Sequence, residues 1–350
     1  MHRSSTLLLF LGFVSAVRSF AFLPASQRVI EPPAARLYRA ASAAFSTSAS
    51  STRLRASRGS VIGKKFKFSK YHGLGNDFVL VNDLSKDGPS LTSEDARLIC
   101  DRNFGVGGDG LIFAHKSAKE GYDFKMTIYN SDGTEPEMCG NGIRALAQFI
   151  VDEEGYEDKL PLTFNIDTLA GPILPQINSD RSIRVDMGYP IFAAAEIPTT
   201  LEANFADGGV VEQSVSVSGT DLKVSCVSMG NPHAVVFDDD LPSAMDAYGA
   251  ALESHEVFPA NTNVEFVRVD SPTHVTMKVY ERGAGPTLAC GTGACALVVA
   301  AVRAGKIPTA AEGVTVTLPG GDLVIEWKGE GEKVFMTGPA VKSFEGEGVC

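Results

Sequence analysis

The sequence predicts an α+β protein: two pseudo-symmetric domains of mixed β-sheet, each wrapped around a central helix, with the active site in the cleft between them. Three observations lead there. A strand–loop–helix unit occurs twice with matched spacing. In both copies strands come before helices, which argues against the regular alternation of a doubly wound sheet. One of the two helical segments is apolar on every side, as only a helix buried on all sides can be.

The first unit runs Thr127-Ile128-Tyr129-Asn130-Ser131-Asp132-Gly133 and on to Met138-Cys139-Gly140-Asn141-Gly142. Its β-branched start reads as a strand and its glycine as a turn. Ile143, Leu146, Ala147 and Ile150 then fall at i, i+3, i+4 and i+7, with Gly155 as the stop. The second unit runs Lys278-Val279-Tyr280-Glu281-Arg282-Gly283 and on to Ala289-Cys290-Gly291-Thr292-Gly293. Its helix, Ala294–Val302, is the apolar one and ends at Arg303 and Gly305. Tyrosine to cysteine is ten residues in both units. Upstream, Gly75-Asn76-Asp77-Phe78 and Gly230-Asn231-Pro232-His233 form a second echo, with Asn76 63 residues before Cys139 and Asn231 59 before Cys290. These repeats place a first domain at 64–186 and a second at 187–338.

Residues 1–60 stand apart. They hold eight Arg, no Lys and a single acid, Glu31, so the remainder carries a net charge of −18. A body that acidic has no electrostatic basis for binding nucleic acid or an anionic membrane. The apolar run Leu7–Val17 is 11 residues, short of the roughly 20 that span a bilayer. With His2 and Arg3 before it and Val17-Arg18-Ser19 after it, the run has the parts of a signal peptide. The Ser-, Ala- and Arg-rich 20–60 that follows has a transit-peptide composition. Ser19-Phe20-Ala21-Phe22-Leu23-Pro24 at the junction resembles the phenylalanine-centred cleavage motif of bipartite leaders. The expectation is import into a plastid of secondary origin, with no membrane association in the mature form.

All six cysteines lie in the body: Cys100, Cys139, Cys226, Cys290, Cys295 and Cys350. No C-x-x-C pair occurs, and Cys290-x4-Cys295 has no second pair or histidine at zinc spacing, so no metal is expected. The repeated Cys-Gly-x-Gly suggests other chemistry. A cysteine at a helix start meets free N–H groups and the positive end of the helix dipole, which should lower the thiol pKa. The same N–H groups can hold a carboxylate, and glycines let a ligand approach the backbone. Two such sites facing one carboxylate-bearing carbon would remove a proton from one face and return one to the other, inverting the centre.

Further motifs sharpen this. Tyr71-His72-Gly73-Leu74-Gly75-Asn76-Asp77-Phe78, Met138-Cys139-Gly140-Asn141-Gly142-Ile143-Arg144 and Ser228-Met229-Gly230-Asn231-Pro232-His233 resemble motifs of the diaminopimelate epimerase family. So do Tyr280-Glu281-Arg282-Gly283-Ala284-Gly285, Ala289-Cys290-Gly291-Thr292-Gly293, Leu318-Pro319-Gly320-Gly321 and Met336-Thr337-Gly338. The resemblance implies a small-molecule substrate, diaminopimelate, interconverted between its LL and meso forms in lysine biosynthesis without pyridoxal phosphate or metal. It implies Cys139 and Cys290 as catalytic thiols, with His233 tuning Cys139 and Glu281 tuning Cys290. Asn76, Asn130, Asn231 and Asn263 would bind the substrate's polar groups, Gly140, Asn141, Gly291 and Thr292 its reacting carboxylate, and Glu281 and Arg282 its distal end. The tail 339–350 would return to the first domain, and the assembly left open is a homodimer.

One position departs from the family pattern: Gly110 stands where many bacterial members carry a substrate-binding Gln. Two other readings compete. One is a proline or hydroxyproline racemase, against which Glu281-Arg282 argues, since proline has no second charged head. The other is a dithiol redox or ligand-binding protein, which would exchange no proton at a substrate carbon.

Overall fold

The computed structural model describes residues 63–350, so the leader read from residues 1–60 lies outside the described residues. Along the chain run β1 (Lys65–Gly73), β2 (Asn76–Asp83), α1 (Ser93–Cys100), β3 (Gly110–Lys116), β4 (Phe124–Asn130) and α2 (Gly140–Glu154). Five short strands follow: β5 (Leu162–Thr163), β6 (Ile166–Thr168), β7 (Gly171–Ile173), β8 (Gln176–Ile177) and β9 (Ile183–Asp186). Next come β10 (Val210–Val217), β11 (Thr220–Ser228), β12 (Pro232–Phe237), α3 (Leu241–Glu253), β13 (Asn263–Ser271), β14 (His274–Glu281) and β15 (Gly285–Thr287). The chain closes with α4 (Gly291–Arg303), β16 (Ala310–Leu318), β17 (Gly321–Trp327), β18 (Val334–Gly338) and β19 (Val341–Val349).

These strands make two sheets. One has the order β19-β1-β2-β3-β4-β6-β7; the other has β10-β11-β12-β13-β14-β16-β17-β18-β9-β8-β5, with β15 added to β14. From β1 to β7 the pairings alternate antiparallel, parallel, antiparallel, parallel, antiparallel. From β11 to β17 the same alternation recurs in the same order. Each series has an antiparallel strand on its first member, β19 on β1 and β10 on β11. A parallel neighbour needs a crossover, and the helices supply it: α1 joins β2 to β3, and α3 joins β12 to β13. The repeat seen in two short sequence units is therefore a repeat of a whole sheet, and the fold is the two-part α+β architecture expected.

Local sequence explains the helix limits. Thr92 and Asp95 form a capping box at the start of α1. Gly155 ends α2 in the left-handed conformation, φ 65°, that glycine adopts without strain. Ala294 to Ala301 of α4 are all buried, as its uninterrupted apolar sequence requires. Burial of each Leu or Val among them contributes about 1.5–3 kcal/mol.

Every residue of helix α2 from Asn141 to Val151 is buried, Arg144 and Gln148 included, as a central helix wrapped by a sheet must be. Its outer face is covered where the chain crosses between β18 and β19: Arg144 Nε donates to Pro339 O at 3.3 Å. Strand β19 lies antiparallel to β1 at the edge of the first sheet. Strands β5, β8 and β9, from the segment 64–186, hydrogen-bond into the larger sheet. No described helix is long and apolar enough to cross a membrane.

Candidate active site

Cys139 is the N-cap of α2 and Cys290 the N-cap of α4, each with extended backbone. Each sulfur accepts from the N–H three residues on, Gly142 and Gly293 respectively, at 3.4 Å. The two helix starts converge. A Cβ built on Gly140 would lie 3.3 Å from Met336 Cε, and one on Gly291 would lie 3.1 Å from Met336 Sδ and 3.7 Å from Asn141 Oδ1. Glycine at both positions is what lets the helix ends meet around Met336.

Both thiols border one cavity of ≈ 840 Å³. Asn76, Gly140, Asn141, Asn231, Glu281, Gly291 and Thr292 line it too, so most of the residues singled out from sequence come together. Behind Cys139 a chain of amides fixes two of them. Arg144 Nη2 donates to Asn141 Oδ1 at 2.8 Å, Asn141 Nδ2 to Asn76 Oδ1 at 3.0 Å, and Asn76 Nδ2 to Asp109 Oδ2 at 2.7 Å.

Four expected residues do not line the cavity. Asn130 Nδ2 donates to Thr134 Oγ1, and Arg282 Nη1 to Ala260 O. Asn263 is buried between Pro232 O and the Arg282 N–H, so it shapes the turn after β14 from behind. His233 is fully buried. The sequence reading paired His233 with Cys139, whereas the close group in the structure contains Cys290: a His233 ring nitrogen, a Glu265 oxygen and the Cys290 sulfur lie within 4.8 Å of one another. Parallel pairing of β12 with β13, which sets His233 opposite Asn263, brings this histidine beside Glu265.

The thiols also depart from expectation in their acidity. Burial pushes the Cys139 thiol above the usual cysteine range; the Gly142 and Asn141 N–H groups and Arg144 oppose the rise without cancelling it. Burial likewise raises Cys290, helped by Glu281 and Glu265 and opposed by Thr292 and the Gly293 N–H. Desolvation of a thiolate at these enclosed positions outweighs the helix-terminus effect. The Glu281 carboxyl is itself raised by burial, with Glu265 and Asp109 adding and Thr287 and His233 opposing. A thiol that ionises reluctantly yields a strong base once it has done so, which suits removal of a weakly acidic C–H proton.

Several lining residues were not singled out from sequence: Arg102, Asp109, Glu137, Met187 and Met229. Glu265 was missed as well, although a carboxylate in the otherwise apolar run Val264-Glu265-Phe266-Val267 of a buried strand was a readable signal. At Gly110, a Cβ would stand 2.9 Å from Tyr129 O and 3.3 Å from the Phe78 ring, so any side chain there would require its neighbours to shift.

Comparison with known proteins agrees with this geometry. The family model described as "Diaminopimelate epimerase" matches residues 68–193 and 225–343. "Diaminopimelate epimerase" of Acaryochloris marina is 51% identical over 283 residues, covering 81% of this chain and 98% of that protein. "Diaminopimelate epimerase, chloroplastic" of Oryza sativa subsp. japonica is 48% identical over 291 residues, covering 81% of this chain and 80% of that protein. Among solved structures, a phenazine biosynthesis protein of the PhzF family from Bacillus anthracis aligns with TM-score 0.59 at 18% identity, covering 82% of this chain and 100% of that one. A hydroxyproline epimerase from Agrobacterium vitis aligns with TM-score 0.56 at 13% identity, covering 81% and 92%. The solved structures share the fold alone, whereas the sequence matches span both halves and both cysteine loops: the chain belongs to the diaminopimelate epimerase family.

Proposed function

We infer that the protein is an isomerase that interconverts LL- and meso-diaminopimelate, a small-molecule substrate, by two-base proton transfer. The observation that carries this is the pair of cysteine-capped helix starts opening on one cavity. In each direction one sulfur, as thiolate, takes the α-hydrogen as a proton. The other, as thiol, gives a proton to the opposite face of the same carbon. Afterwards the two sulfurs have exchanged protonation states. The negative charge that develops on the reacting carboxylate is met by the N–H groups of Gly140, Asn141, Gly291 and Thr292 at two helix N-termini, where anions are stabilised.

In this reading Asn76 and Asn231 hold polar groups of the substrate, and Glu281 faces its distal amino-acid end. Asn130, Asn263 and Arg282 then act from outside the cavity wall, by shaping the loops that carry the lining residues. His233 and Glu281 tune Cys290. The catalytic halves divide at about residue 186, with 339–350 belonging to the first, while strands β5, β8 and β9 from before that point extend the sheet of the second half. No cofactor enters any step, because the protons come from the thiols themselves.

The reading also places the protein in the plastid stroma. It is supported by the rice relative's designation as chloroplastic and by the Arg- and Ser-rich composition of 20–60. Import in two steps, into a plastid of secondary origin, would leave a mature chain starting within about 55–66, which N-terminal sequencing of the native protein reads directly. A homodimer is the assembly we would test first, by sedimentation.

Incubation with LL-diaminopimelate in deuterated water tests the reaction. One deuterium should enter at the inverted carbon of the meso product. Epimerisation without deuterium uptake, or no epimerisation with proline turned over instead, would overturn the reading.

A further inference from the structure

Glu265 has no part in the chemistry described so far, yet it is fully buried on β13, where an ionisable group is costly unless it is partnered. Only half of it is partnered. Oε1 lies 2.7 Å from His233 Nδ1, and Oε2 has no hydrogen-bond partner among the described residues. The carboxyl is pressed against the Cys290 loop, since a Cβ on Gly293 would stand 2.6 Å from Glu265 Oε1 and 3.2 Å from Cys290 Sγ. From His233 a closed ring of contacts returns to the thiol. His233 Nε2 is 3.1 Å from Asn231 Oδ1, Asn231 Nδ2 donates to Thr292 Oγ1 at 3.3 Å, and Thr292 Oγ1 is 3.5 Å from Cys290 Sγ.

The groups facing Cys290 are thus His233 from β12, Glu265 from β13 and Glu281 from the end of β14. The charged group behind Cys139 is instead an arginine. Arg144, one turn along α2, is fully buried and has no carboxylate within 4.0 Å among the described residues; it outweighs Asp109, the acid on that side.

We propose that Glu265 is a positioning residue: it anchors His233 and, held beside Cys290, keeps that thiol protonated in the substrate-free protein, so that Cys139 is the first of the pair to ionise. The proposal rests on the two-thiol reading above. A fold that repeats itself would otherwise offer two equivalent thiols. The buried Glu265 and Arg144 break that equivalence and give the resting site one base and one acid instead of two of either.

The test is alkylation of the reduced, full-length protein with iodoacetamide in the absence of substrate, across a range of pH, with each cysteine followed by peptide mass. Normalising each thiol to its own maximal rate removes differences in access. Cys139 should reach half its maximal rate at lower pH than Cys290. In Glu265→Gln the Cys290 midpoint should move down while the Cys139 midpoint stays, raising Cys290 reactivity at neutral pH about tenfold, the effect of one unit in pKa. The alkaline limb of kcat/KM, which reports the acid of the free enzyme, should move down with it. A Cys290 midpoint at or below that of Cys139 in the wild type overturns the proposal, and so does a Cys290 midpoint unmoved in a folded Glu265→Gln. The wild-type order needs no variant, so a misfolded Glu265→Gln leaves the proposal open to refutation. Alkylation involves no substrate, so failure of the epimerase reading would show separately, in the deuterium experiment.

Discussion

At Gly110 the backbone of β3 passes so close to Tyr129 O that even a methyl group would stand 2.9 Å from it. Gly110→Gln, the change that the family resemblance suggests, should therefore lower stability by about 1–3 kcal/mol through overpacking and gain no activity. Urea denaturation with parallel assays checks this, and a stable, more active variant would contradict it. Gly293 is confined for a different reason, since an added methyl would press on Glu265 and Cys290 together. Gly293→Ala should fold but lose about 10²-fold in turnover, the scale of an ångström-sized misplacement; a near-normal kcat would count against the packing described. Sequence marked the two thiols because the unit around them occurs twice. It did not mark Glu265, which reaches His233 only through the parallel register of β12 and β13. Nor did it give the thiol acidity, because the enclosure of the two helix starts is a property of tertiary packing.

Helix α4 has no exposed residue. Leu297 at its centre is fully buried, and Leu297→Ala should cost about 2–5 kcal/mol in unfolding free energy. A loss under 1 kcal/mol would mean that the helix is not the centre of its half. Strand β3 carries a different liability. His115 is buried with neither ring nitrogen hydrogen-bonded among the described residues, and burial lowers its pKa against the opposing charge of Asp83. The unfolded chain then binds the proton more readily than the folded one below about pH 6.5, so stability should fall as pH drops through that value. Thermal unfolding between pH 7 and 5 should show a steeper loss in the wild type than in His115→Leu; equal slopes would refute it. Helices α2 and α4 were legible because a dozen residues suffice to show period and caps. Strands β5, β8 and β9, two to four residues each, are too short for any period, so their place in the larger sheet is fixed by tertiary packing.

At the scale of the molecule, two sheets of matching topology each present the start of one helix to a common cavity, and each start carries a cysteine. Duplication explains why each half brings a thiol to the cavity; in the proposal above, the buried charges behind them make the two unequal. The repeat was visible in the sequence, but the joining of the halves was not. The turn at Gly320 is one such junction: a Cβ there would lie 2.0 Å from Leu74 O, which accounts for the glycines of Leu318-Pro319-Gly320-Gly321. The claim that both halves act on one carbon is tested most directly by assaying Cys139→Ala and Cys290→Ala separately, in both directions of epimerisation. Each acid–base group contributes about 10²–10⁴-fold, and the reverse reaction uses the same two groups with roles exchanged. Both variants should therefore lose at least about 10²-fold in both directions while keeping the wild-type fold. If either variant, correctly folded, turns over diaminopimelate at a near-normal rate in either direction, the two-thiol site described here is not the site of the reaction.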